Sequence, residues 1–239
     1  MTQFSIIIPL KNEEKIIIKT LTSIKEILLK NQLIKLTEII IVINDTCDRS
    51  ESLIKNFKNN HPELEIKILK SKPGYGHALL KGILNAKNNI LIIFNADLID
   101  ENFIKLSQYL NDLNYDMVIG SKRCAYAKDK RPFLRKLSTF CLNFFLKITL
   151  GFQGTDTHGI KLLKRKPVLR ILKKQKIINM DIIDTYIVIA MNKLGYRICE
   201  LPIEVKEIRK SRFNNKRILT SIIDIFNLYK LVRNLKSRN

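Results

Sequence analysis

Residues Asn89 to Asp100 read NILIIFNADLID, an apolar run of Ile, Leu and Phe that ends abruptly in Asn95, Asp97 and Asp100. A strand with one solvated face alternates apolar and polar residues, whereas a strand covered on both faces reads as a continuous apolar run. The stretch therefore predicts a parallel strand sandwiched between helices, with polar side chains delivered at its carboxyl end. The same pattern recurs outward along the chain. FSIIIPL from Phe4, TEIIIVIND from Thr37 and LEIKILKS from Leu64 are further strand patterns. Between them lie the helical patterns EKIIIKTLTSIKEILLKN from Glu14, SESLIKNFKNN from Ser50 and GHALLKGILNAKN from Gly76. This is a βαβαβαβ series, which predicts an α/β fold with a mostly parallel sheet and helices on both faces.

In open sheets of this kind ligands bind beyond the carboxyl ends of the strands. Polar clusters stand there after the strands, at Lys11 to Glu14 (KNEE), Asn44 to Asp48 (NDTCD) and Asn95 to Asp97 (NAD). Asn95 and Asp97 flank one small residue, and two such oxygen ligands suit Mg2+ or Mn2+ held against a diphosphate, because hard cations complete their shell with phosphate oxygens. Asp100 reads as the N-cap of the helix pattern ENFIKLSQYL. Gly74 and Gly76 precede a helix carrying Ala78, Gly82 and Ala86, and with Lys72 they suit close approach of a phosphate or sugar oxygen. This is not the dinucleotide fingerprint, which follows the first strand of a sheet rather than the third.

The 239 residues suffice for one α/β domain, expected over 1–212, followed by a C-terminal helix over 213–239. The second half reads as a strand (YDMVIGSKR), a long segment mixing aromatics with Arg and Lys (Arg131 to Phe152), a loop (GTDTHG), a helix (DIIDTYIVIAMNKLGY) and a strand (RICELPIEVKEIR). In the last helix Ile218, Ile222, Ile225, Tyr229 and Val232 recur at helical spacing between basic ends, the pattern of an interfacial amphipathic helix. Lys and Arg outnumber Asp and Glu by 43 to 22, a formal charge of +21, so partners are expected to be anionic. Nucleic acid is not the expected one, since no aromatic RNA motif, zinc finger or helix-turn-helix pattern is present. Cys47, Cys124, Cys141 and Cys199 form no Cys-x-x-Cys pair, which fits a reducing cytosol. No signal-peptide pattern and no apolar run of about 20 residues is found, so membrane contact is expected to be peripheral, at the cytoplasmic face, through an anionic surface or a membrane subunit.

Taken in order, FSIIIPLKNEE, EIIIVINDTCD, GYGHALLKG, IIFNADL, DMVIGSKR, RKLSTFCLN, DTHGIKLLKR and GYRICELPIEVKEIR resemble the family 2 glycosyltransferases. The branch most similar contains dolichyl-phosphate mannose synthase and the bacterial polyprenyl-phosphate sugar transferases, and the resemblance spans about residues 4 to 212. It implies a GT-A (Rossmann-like) fold in which Pro9, Asn12 and Glu13 line the nucleotide pocket and Asp45 or Asp48 holds base or ribose. It places the metal-binding pair on Asn95 and Asp97, and the Gly-x-Gly-x-Ala loop on Gly74, Gly76 and Ala78 with Lys72 beside it. Lys122 or Arg123 matches a basic residue after Gly-Ser, while Arg135 and Thr139 match residues that grip an acceptor phosphate. Arg209 matches a basic residue that closes over the diphosphate or acceptor. Asn95 departs from the family's two-carboxylate pair, and Tyr186 stands where related sequences carry Glu.

What the resemblance implies is inverting, metal-dependent transfer of a sugar from a nucleoside diphosphate to a lipid phosphate. An acceptor phosphate is already anionic and needs no general base, so positioning and metal-assisted departure would carry the rate. With a saccharide hydroxyl as acceptor a carboxylate must take its proton, and Asp181, then Asp184, are the candidates. A nucleotidyltransferase would instead favour a Gly-rich basic loop after the first strand, where this chain has PLKNEE.

Overall fold

The structure is a computed structural model that describes residues 2–110, 112–173, 182–205, 225–233 and 235. Its strands are β1 (Phe4–Leu10), β2 (Thr37–Asn44), β3 (Glu65–Ser71), β4 (Ile90–Ile93), β5 (Met117–Ser121), β6 (Lys128–Asp129), β7 (Lys161–Lys164), β8 (Ile198–Pro202) and β9 (Glu204–Val205). Its helices are α1 (Ile17–Lys30), α2 (Ser50–Asn60), α3 (Tyr75–Asn85), α4 (Glu101–Leu106), α5 (Phe133–Leu150), α6 (Arg165–Lys173) and α7 (Ile183–Lys193). The chain divides into two compact units, Met1–Asn114 with Ile160–Leu169, and Tyr115–Gly159 with Arg170–Asn239.

In the first unit the strands run in the order β3-β2-β1-β4-β7. The four strands foreseen from their apolar runs are parallel to one another, and β7 alone runs antiparallel, with Ile90 opposite Lys164. The sheet is thus mostly parallel, as expected. β2 is buried along its whole length, which is what an unbroken Ile/Val run requires. Pro9 is tolerated inside β1 because the ladder to β4 ends at Ile7, where Phe94 donates its N–H to the Ile7 carbonyl, so no partner awaits an N–H from Pro9. α1 and α2 carry the chain from β1 to β2 to β3 and pack beside each other. α3 brings it back over β1 and β2 to β4, and right-handed crossovers put it on the opposite face. Gly82 makes that packing close, since a Cβ there would lie 2.4 Å from Cγ2 of Ile7.

In the second unit β5 and β8 pair in parallel, from Met117 opposite Ile198 to Ser121 opposite Pro202, and β6 and β9 form a short parallel ladder. α5 resolves the mixed aromatic and basic segment as one helix of 18 residues, which ends where Gly151 takes φ +65°. α7 is buried from Ile183 to Met191. Residues 225–233 are helical; Leu228, Val232 and Leu235 are buried while Phe226 and Tyr229 are exposed. Nζ of Lys193 donates to the Val232 carbonyl at 2.7 Å. The described part of the last helix therefore packs on its own unit, and Val232 belongs to that packed face. No helix among the described residues is long and apolar enough to cross a membrane.

Candidate functional site

The nucleotide and metal residues foreseen from sequence fall in the first unit, at the carboxyl edge. Because β1 lies between β2 and β4, the loops that follow these three strands emerge side by side. The β1 and β2 loops are joined by reciprocal side-chain contacts. Asn12 (φ +55°) accepts the N–H of Cys47 at 2.9 Å, and Glu14 accepts that of Arg49 at 3.1 Å. The Glu13 N–H donates to the Ser50 hydroxyl at 2.9 Å. Lys11 pairs with the exposed carboxylate of Asp45 at 2.7 Å. Asp48 accepts the backbone N–H of Glu14 and of Ser50, each at 3.0 Å. Burial raises the Asp48 pKa, but the hydrogen bonds from Ser50 and Glu14 outweigh it and leave the carboxyl below its ordinary range. Of the two carboxylates foreseen for base or ribose, Asp48 is engaged in holding backbone and Asp45 is the one exposed to solvent.

Gly74, at φ +116°, is tied to the neighbouring strand end because its N–H donates to the Asn44 side chain at 2.8 Å. That bond aims the start of α3 at the same edge, with Gly76 buried and Lys72 exposed. After β4 a tight turn closes through the Leu98 N–H and the Asn95 carbonyl at 3.0 Å, and Thr20 of α1 donates to the Ala96 carbonyl at 2.5 Å. Asn95 and Asp97, both half-buried, sit in this turn. Asp100 does not join them: it accepts the N–H groups of Asn102 at 2.8 Å and Phe103 at 3.4 Å, capping α4. Asp100→Ala is therefore expected to cost about 1 kcal/mol of stability and leave Mn2+ affinity unchanged. Isothermal titration checks this, and a loss of affinity matching that of Asp97→Ala would make Asp100 a ligand.

The donor set of the turn is one carboxylate and one amide oxygen, and no cluster of three His, Cys, Asp or Glu able to hold a metal is found among the described residues. That fits a hard cation shared with ligand oxygens and does not fit a metal caged by protein alone.

The acceptor residues foreseen from sequence fall in the second unit. Lys122, at the end of β5, is 7% exposed and pairs with the fully buried Asp156 at 2.7 Å. Its ammonium is thus already engaged, whereas the guanidinium of Arg123 lies 5.0 Å over the Phe140 ring and is half-buried. Between these two the accessible cation is Arg123. Arg135 and Thr139 occupy successive turns of α5, with the Thr139 hydroxyl donating to the Arg135 carbonyl at 2.9 Å and accepting from Arg131 at 3.4 Å. Asp181 and Arg209 lie outside the described residues.

Sequence reading did not foresee the polar network around Thr155. Glu200 accepts the Thr155 N–H at 2.7 Å and its hydroxyl, Ser121 bonds the same hydroxyl at 2.7 Å, and Asn143 donates to the Thr155 carbonyl at 2.9 Å. Gly159 packs so closely that a Cβ would meet the Gly120 carbonyl oxygen at 1.8 Å. A cavity of about 220 Å3, lined by Phe152, Gln153, Gly154, Asn192, Ile198 and Glu200, opens beside this network. The only advance signal was the density of small and polar residues in GTDTHG. Tyr186 is buried, its hydroxyl has no hydrogen-bond partner among the described residues, and burial pushes that phenol up to about 12.

The fold is GT-A. A mannosyltransferase from Pyrobaculum calidifontis, solved in complex with GDP-mannose and Mn2+, superposes with TM-score 0.67 at 19% identity, over 99% of this chain and 66% of that one. Glucosyl-3-phosphoglycerate synthase from Mycobacterium tuberculosis, solved with Mn2+ and UDP-glucose, superposes with TM-score 0.69 at 16% identity, over 96% and 79%. Residues 5–172 match the model of glycosyl transferase family 2, and the chain belongs to that family. Among curated relatives, a dolichyl-phosphate beta-glucosyltransferase of Trichomonas vaginalis is 26% identical over 94% of this chain and 72% of its own length. A dolichyl-phosphate beta-glucosyltransferase of Dictyostelium discoideum is 29% identical over 74% of this chain, which spans 57% of that relative.

Proposed function

We propose that this chain transfers a sugar from a nucleoside diphosphate to a lipid phosphate of the polyprenyl or dolichyl type, with inversion at the anomeric carbon. The observation that carries the reading is the shared edge of the first unit, where the loops after β1, β2 and β4 and the glycine-bracketed start of α3 emerge together. Asn12, Glu13, Asp45, Lys72, Gly74 and Gly76 would surround the nucleotide and diphosphate. Asn95 and Asp97 would hold Mg2+ or Mn2+, ions found in complexes of structural neighbours. Such an ion, when bound, offsets charge on the departing diphosphate.

In the second unit Arg123, Arg135 and Thr139 would grip the acceptor phosphate, with Arg209 closing over it. An anionic phosphate suits this set because the carboxylates of the β5 and β8 region are engaged: Asp156 with Lys122, and Glu200 with Thr155. No described carboxylate there is needed as a base, so the rate would come from positioning. The curated relatives named as dolichyl-phosphate glucosyltransferases support the same acceptor class. The enzyme would then work peripherally at the cytoplasmic face, where nucleotide sugars and lipid phosphates meet.

The test is direct: UDP- and GDP-sugars are incubated with the protein, Mg2+ or Mn2+, and polyprenyl phosphate, and labelled lipid is measured. Product with an inverted anomeric linkage is expected. Transfer only to a soluble saccharide would replace the lipid acceptor with a hydroxyl acceptor served by Asp181, and absence of donor binding would remove the transferase reading.

A further inference from the structure

Ser121 is the last residue of β5 and is fully buried. Its hydroxyl oxygen accepts the backbone N–H groups of Arg123 and Cys124, each at 3.1 Å, and lies 2.7 Å from the Thr155 hydroxyl. Thr155 in turn donates its N–H to one carboxylate oxygen of Glu200, at 2.7 Å, and its hydroxyl to the other. The first of these oxygens also accepts the Asp156 N–H at 3.4 Å. Valence fixes the direction of this chain. A hydroxyl has one proton and two lone pairs, and an ionised carboxylate only accepts. Thr155 gives its proton to Glu200, so the proton between the two hydroxyls comes from Ser121. Both lone pairs of Ser121 are then left for Arg123 and Cys124, and the buried oxygen is saturated.

We propose that Glu200 is a positioning residue for the acceptor phosphate, acting through Thr155 and Ser121 on the backbone of Arg123. The inference rests on the reading in which Arg123 grips that phosphate. Arg123 is held at both ends from one point. Its backbone is bound through Ser121, while its guanidinium lies 5.0 Å over Phe140 of α5. One turn beyond Phe140, Asn143 donates to the Thr155 carbonyl at 2.9 Å. Thr155 therefore fixes both the cation's main chain and the helix beneath its side chain, and Glu200 on β8 fixes Thr155. The negative charge at position 200 is what sets the polarity. A glutamine there has one acceptor oxygen for two donor groups of Thr155. If that oxygen takes the N–H, the amide donates to the Thr155 hydroxyl and the chain reverses, which presses a third donor on Ser121. If it takes the hydroxyl, the N–H groups of Thr155 and Asp156 face another donor. Either way a bond that holds this segment is lost in a place shielded from water.

Full-length Glu200→Gln is compared with the parent in transfer to farnesyl phosphate, a soluble prenyl phosphate, from the UDP- or GDP-sugar that the parent turns over. KM for farnesyl phosphate should rise about tenfold, with kcat and donor affinity within about twofold of the parent. Thr155→Val should act in the same way, and Thr155→Ser, which keeps the hydroxyl, should not. Combining Glu200→Gln with Thr155→Val should add less than about twofold, as expected of residues in one chain. Amide hydrogen exchange supplies a readout without substrate: the N–H groups of Arg123 and Cys124 should exchange at least about tenfold faster in Glu200→Gln, with those of β1 and β2 unchanged. A lowered melting temperature with KM unchanged would reduce Glu200 to a stabilising residue and overturn the proposal. Unchanged exchange at Arg123 and Cys124, or a double variant whose effects multiply, would overturn it too. Should the parent not use farnesyl phosphate, the lipid-acceptor reading falls, and the exchange rates alone decide whether Glu200 holds Arg123.

Discussion

Asp97→Ala is expected to lower sugar transfer about a thousandfold, equivalent to about 4 kcal/mol of lost transition-state stabilisation. The size follows from how little the turn after β4 has in reserve. A pair of carboxylates could lose one and keep a charged ligand, but here the partner is Asn95, a neutral amide. Asp100, the next carboxylate along the chain, already accepts the N–H groups of Asn102 and Phe103, so recruiting it would uncap α4. Mn2+ binding measured calorimetrically with UDP or GDP present should weaken in parallel, a readout that does not depend on turnover. The reverse substitution is as informative: Asn95→Asp adds a second charged oxygen and should tighten Mn2+ binding by about tenfold or more. Full activity in Asp97→Ala, or no change in metal affinity in either variant, would move the metal away from this turn.

The second large effect concerns stability. Asp156→Ala should destabilise the fold by about 3–5 kcal/mol, because it withdraws the carboxylate facing a buried ammonium. In a chain of this length that corresponds to a fall of about 10 °C in the melting temperature. Asp156 accepts not only Nζ of Lys122 but also the backbone N–H of Lys122 at 3.1 Å and of His158 at 3.0 Å. Burial pushes its carboxyl pKa up, yet the Lys122 charge and these hydrogen bonds prevail and hold it below the ordinary value. A depressed folded-state pKa contributes stability that is fully present above the unfolded value, about 3.9, and is lost as pH falls through the folded one. The parent should therefore lose more stability than the variant on acidification below about pH 4, and the two melting curves should converge. Replacing both partners at once, Lys122→Met with Asp156→Leu, should recover much of the loss, since no buried charge then remains without its counterpart. A melting temperature for Asp156→Ala within about 2 °C of the parent would show that the pair is not structurally needed.

How far sequence alone reached depends on which signal each feature carries. β1, β2 and β4 announced themselves because strands covered on both faces need unbroken apolar runs, which SIIIP, IIIVI and ILIIF supply at the edge of polar clusters. β7 was hidden: its four residues KLLK are flanked by loop and helix signals, and its first residue, Lys161, is a charged type that periodicity assigns to the surface although it is fully buried. At the nucleotide edge the polar clusters were visible as groups, but the division of labour within them was not. Asp48 and Asp45 are equivalent as letters, and only the N–H groups of Glu14 and Ser50 mark the first as a structural brace. Likewise the Lys122 to Asp156 pair spans 34 residues, a separation at which no local pattern links two letters. α5 was legible as a mixture of aromatic and basic residues; that Phe133, Phe140, Phe144 and Phe145 are exposed required the helix to be placed.

The braces between the β1 and β2 loops also constrain how this enzyme could change over time. Asn12 holds the N–H of Cys47, Glu14 that of Arg49, and Asp48 that of Glu14, so each loop supplies acceptors to the other's backbone. A substitution in one loop leaves a donor stranded in its neighbour. Donor-base preference, if it resides here, is then inherited as a block of two loops. Grafting either loop alone from a relative should yield a poorly folded edge, and grafting both together should carry the preference across.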